Sequence, residues 1–67
     1  MSLITAPNIA DVDGFYARLL ATHRGLTDAE SAALNARLIL ILANHVGDAT
    51  VLEQALALAR DGAGKPA

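Results

Sequence analysis

The sequence has no cysteine and no tryptophan, and only one Phe, one Tyr and one Met among its 67 residues. Without cysteine there are no disulfides, thiolate metal sites or cysteine nucleophiles, a composition that suits a reducing cytoplasm. Only four Ile and three Val accompany the two aromatics, so the residues that fill pleated strands are scarce. Positive charge is also short. Five basic residues against seven acidic ones leave a net charge of −2 and a pI near 5.4, too little to grip a phosphate backbone, which argues against nucleic acid as a partner. The longest apolar run is the six residues Leu38 to Ala43, closed by Arg37 and Asn44, against the roughly 20 residues a bilayer requires. No basic residue precedes the apolar stretch within Met1 to Ala10, so that stretch does not read as a secretory signal. The expectation is a soluble, cytoplasmic protein with no membrane partner.

What the chain does have is alanine and leucine, fifteen and eleven of them in a sequence that is 54% hydrophobic. These are the strongest helix formers, and the reading is all-α. A chain of this length encloses one core at most, so residues 1–67 form a single small helical domain. It divides into an extended arm over residues 1–10, three helices within 11–61, and a flexible tail over 62–67. Pro7 biases Ala6 towards an extended backbone and no helical period runs through the arm, although it carries Leu3, Ile4 and Ile9.

The first helix starts at Asp11 or Asp13, either of which can accept a hydrogen bond from a free amide of the first turn, and ends before Gly25. Val12, Phe15, Tyr16, Leu19, Leu20 and His23 form its apolar stripe. Thr27, Asp28, Ala29 and Glu30 make a capping box that opens the second helix. That helix runs unbroken from Asp28 to Val46, about nineteen residues or ~28 Å, and Gly47 closes it with a positive φ. Asp48 then caps a third helix, Ala49 to Arg60, which Gly62 ends. The architecture is a small three-helix bundle or helical hairpin.

Projected at 100° per residue, the second helix is apolar almost all round. Glu30, Arg37 and Asn44 form its only polar seam, and Asn35 stands alone on the far side. Each of the other helices offers one stripe, so together they cover about two faces of the middle one. Leu38 to Leu42 project in successive directions, and at least one of them should stay in water in a lone copy. Each large aliphatic side chain left exposed forgoes ~1.5–3 kcal/mol of burial, which a second surface would recover. The candidate interface residues are therefore Arg37, Leu38, Ile41, Leu42 and Tyr16. Arg37 interrupts the apolar surface and can pair with a carboxylate across an interface. Tyr16 offers a phenol at the edge of its stripe.

The only cluster of chemistry-bearing side chains is Asn44, His45 and Asp48. A His and a carboxylate three residues apart could form a metal site or an acid–base pair, which supplies a second reading: a small metal-dependent or acid–base enzyme centred on His45 and Asp48. Against it, Asp48 already serves as a cap, and no third ligand lies near in sequence where catalytic metal sites use three. Phosphate-binding loops, nucleophile elbows and zinc spacings are absent. No catalytic, cofactor or metal residue is assigned, and no small-molecule substrate is identified. His23 reads as a half-buried capping histidine.

The stretches MSLITAPNIADVDGFYARLL, GLTDAESAALNARLILILANHVGD and VLEQALALAR resemble a family of short bacterial helical proteins catalogued as a domain of unknown function. The resemblance covers Leu3 to Arg60. It implies no catalytic residue and no cofactor. It does imply a neighbourhood of flavin-dependent aromatic monooxygenases, hence an oxidoreductase as a class of partner. The expected function is a non-enzymatic accessory protein that self-associates as a homo-oligomer or docks on a larger enzyme.

Overall fold

The computed structural model describes residues 2–63. Three helices follow the arm in chain order, α1 (Val12–His23), α2 (Asp28–Val46) and α3 (Ala49–Ala63), and no strand occurs among the described residues. Each helix begins on a side chain that satisfies a free amide. Of the two candidates for α1, Asp11 is the cap, its Oδ1 accepting from the Gly14 amide at 3.0 Å. A Cβ at residue 14 would run into that same carboxylate, so glycine leaves room for the cap to close. At α2 the Glu30 amide donates to Thr27 Oγ1 at 3.2 Å, and the Thr27 amide donates to Glu30 Oε1 at 2.9 Å. Asp48 Oδ1 accepts from the Val51 amide at 3.0 Å and opens α3.

Gly47 ends α2 with φ of 73°, and its amide donates to the Ala43 carbonyl. That left-handed residue turns the chain within two residues, and α2 and α3 make limited contact with each other. The end of α3 departs from the sequence reading. It does not stop at Arg60 but continues through Asp61 and Gly62 to Ala63. A glycine that keeps helical φ costs only its propensity, ~1 kcal/mol relative to Ala, and a single such residue in a last turn does not have to terminate a helix. Of the expected tail, residues 62 and 63 are thus helical, and residues 64–67 lie outside the described residues.

The arm lies along the elbow between α2 and α3. The Leu3 amide donates to Gln54 Oε1 of α3 at 2.9 Å, and Leu3 is half-buried. Ser2, Leu3, Ile4, His45, Val46 and Val51 line an open groove of about 390 Å³ there. Val51 is the one buried apolar side chain among the described residues, at 9% exposure. Ile4 and Ile9 of the arm remain exposed. α1 joins α2 through His23, whose Nδ1 lies 2.9 Å from Ser31 Oγ. Within α1, the Thr22 hydroxyl donates to the Arg18 carbonyl one turn back.

The accessible surface is 5800 Å², where a compact monomer of this mass would expose about 4,000 Å². The helices are well formed, yet they shelter little of one another.

Candidate functional site

Exposed large apolar side chains occur on the arm and on all three helices, and α2 carries four of them in succession. Ser31, Leu34 and Leu38 on one side of that helix are half-buried. Ile39, Leu40, Ile41 and Leu42 are exposed at 62%, 70%, 64% and 51%. The reason is local: four consecutive large aliphatic residues in a helix point in four directions, 100° apart, and α1 and α3 do not reach round. Leu26 and Val46, at the two ends of α2, are exposed as well.

Of the residues picked from sequence as interface candidates, Arg37, Ile41, Leu42 and Tyr16 are exposed and Leu38 is half-buried. The structure does not gather them into one patch. Tyr16 belongs to α1, Arg37 and Ile41 share one side of α2, and Leu42 stands on another. Arg37 enters none of the side-chain hydrogen bonds among the described residues. Ile39 and Leu40 fall outside that selection and are among the most exposed aliphatic residues on the helix. Their signal is present in the unbroken run Leu38 to Ala43, which makes each of its members a candidate. α3 adds exposed Leu56 and Leu58, and α1 adds Leu20 and Phe15.

The second candidate cluster is occupied with structural work at one of its members. Asp48 is half-buried and its Oδ1 holds the first turn of α3. His45 and Asn44 are exposed. Among the described residues no three His, Asp or Glu side chains stand close enough together to hold a metal ion. Hydrogen bonds from the Thr27 backbone and side chain lower the Glu30 pKa below the ordinary 4.5. This carboxylate caps the first turn of α2.

Among the described residues, no helix is long and apolar enough to cross a membrane.

The family described as "Protein of unknown function (DUF2783)" matches residues 3–61. No curated protein and no solved structure matches the chain.

Proposed function

We propose, from the finding that the chain belongs to the DUF2783 family, that it is a small cytoplasmic accessory protein without catalysis of its own. It acts by laying α2 against another protein surface, either a further copy or a larger enzyme. The observation that carries this reading is the exposure of Ile39, Leu40, Ile41 and Leu42 on a single helix. Leaving four such side chains in water forgoes several kcal/mol, on the order of 1.5–3 for each. That is comparable with the whole stability available to a core of this size, about 3–5 kcal/mol. Apolar side chains exposed in this number on one helix favour a further surface against which some of them are covered.

The sequence resemblance supports one class of larger partner, a flavin-dependent oxidoreductase of aromatic catabolism. Light scattering on the purified protein, alone and co-expressed with such an enzyme, tests the proposal. The reading expects a mass above 6.9 kDa in at least one of the two preparations. A 6.9 kDa monomer that binds nothing overturns it.

A further inference from the structure

We infer that α1 is a lid: it swings about Gly25 and closes along α2, laying Leu19 on Leu34, Tyr16 on Leu38 and Val12 on Leu42. The sequence supplies two matched stripes. Val12, Tyr16, Leu19 and His23 recur along α1 at steps of four, three and four, and Ser31, Leu34, Leu38 and Leu42 recur along α2 at steps of three, four and four. Each set therefore keeps to one side of its helix. Both stripes run ~16 Å from first member to last, and neither contains an Asp, Glu, Lys or Arg.

The register comes from an observed contact. His23 Nδ1 lies 2.9 Å from Ser31 Oγ, and helices joined by so short a link pack as antiparallel neighbours. Counting outward from this pair, back along α1 and forward along α2, sets Tyr16 level with Leu38, Val12 level with Leu42 and Leu19 beside Leu34. Cover falls off with distance from the pair. Leu19 and His23 on α1, and Ser31, Leu34 and Leu38 on α2, are half-buried, whereas Val12, Tyr16 and Leu42 are each more than half exposed. The pattern is that of two helices held together at the turn and parted at the far end.

The far end is leashed to the same side of α2. His45 continues the line of Leu34 and Leu38 along that helix, and it lines the groove that the arm enters with Ser2, Leu3 and Ile4. The Leu3 amide is bonded to Gln54, and the arm from Leu3 to Asp11 spans at most ~29 Å, so the start of α1 stays within reach of the end of α2. The His23 contact at one end and the arm at the other thus hold α1 over this stripe, which names α1 of the same chain as its cover. At the turn, Gly25 has φ of 82° and a Cβ there would meet nothing within 4 Å, the open backbone position that a hinge requires. Closing covers Leu38 and Leu42 and leaves Ile39 and Leu40 outside, so the lid sets how much of α2 another protein can meet.

The absence of native cysteine lets the closed state be trapped. Val12 and Leu42 are exposed, so the double variant V12C with L42C should keep the fold. Closure brings the two positions within the ~7 Å between Cα atoms that a disulfide spans. Mild oxidation should then consume both thiols while the protein keeps the monomer mass on a non-reducing gel. The control is V12C with L40C, whose second site lies on the far side of α2, and it should oxidise several-fold more slowly. In the unsubstituted protein, nuclear Overhauser contacts should join the ring of Tyr16, the lone tyrosine, to the Leu38 methyl groups.

Equal oxidation of the two double variants would show that α1 has no preferred side of α2 and would overturn the inference. Disulfides formed between chains in place of within them would overturn it as well, as would a Tyr16 ring without contacts to Leu38. None of these results bears on whether α2 meets another protein, which the light-scattering mass decides separately.

Discussion

His23 Nδ1 lies 2.9 Å from Ser31 Oγ, and this pair is the side-chain hydrogen bond that joins α1 to α2. Both side chains are half-buried, so losing either partner leaves the other short of water and of a bond. Ser31→Ala and His23→Ala should each lower stability by about 0.5–1.5 kcal/mol. The double variant should cost clearly less than the two singles added together. Thermal unfolding followed by circular dichroism measures this cycle, and strict additivity would show that the contact does not couple the helices.

The capping box supplies a second prediction with a pH sign. The Glu30 carboxyl is held below its ordinary 4.5 by the Thr27 backbone and side chain. A carboxyl depressed in the folded state contributes stability that is fully present above its unfolded value and is lost as pH falls through the folded one. Helix content should therefore be steady above pH 4.5 and decline below it. Glu30→Gln, which keeps an acceptor oxygen but does not titrate, should flatten that decline. Thr27→Ala removes the other half of the box and should lower stability by about 1 kcal/mol. An acid profile unchanged by the glutamine variant would contradict the assignment.

Gly47 turns α2 into α3 at φ 73°. A side chain there would meet nothing closer than the Asn44 carbonyl at 3.8 Å, so the cost of Gly47→Ala is conformational and not steric crowding. The expected loss is about 1–2 kcal/mol. A variant as stable as the parent would show that the elbow takes another conformation in solution.

The His45 and Asp48 pair separates the interaction reading from the enzymatic one. Asp48→Ala should destabilise the protein by about 1 kcal/mol through its cap. His45→Ala, at an exposed position, should change stability by no more than about 0.5 kcal/mol. Calorimetric titration of the parent with zinc should show no binding. Saturable zinc uptake that disappears in His45→Ala would revive the metal-centred alternative.

The parts of this molecule legible in the sequence are those whose physics is local. Thr27 and Glu30 are three residues apart, and their reciprocal bonds need nothing beyond the first turn of a helix; the same holds for Gly47 and Asp48. Asp11 and Asp13 are not distinguished by the sequence, because both satisfy the local rule. The contacts that position the arm and α1 were out of reach. Leu3 and Gln54 are 51 residues apart, and His23 meets Ser31 only because the turn between α1 and α2 closes as it does. Gly62 misleads for the opposite reason: glycine permits a helix to end without compelling it to. The exposed side of α2 is visible in the sequence as an excess of apolar faces. Which face stays open depends on where α1 and α3 come to rest, and so the sequence points to Leu38 and passes over Ile39 and Leu40.

The most direct test of the account is the melting temperature of the purified chain across a wide dilution series. If α2 is covered by a second copy, folding and association are linked, and the melting temperature must rise with protein concentration. A melting temperature that stays the same from the most dilute to the most concentrated sample would contradict self-association, because it would show a lone chain that is stable with the exposed aliphatic side chains of α2 in water.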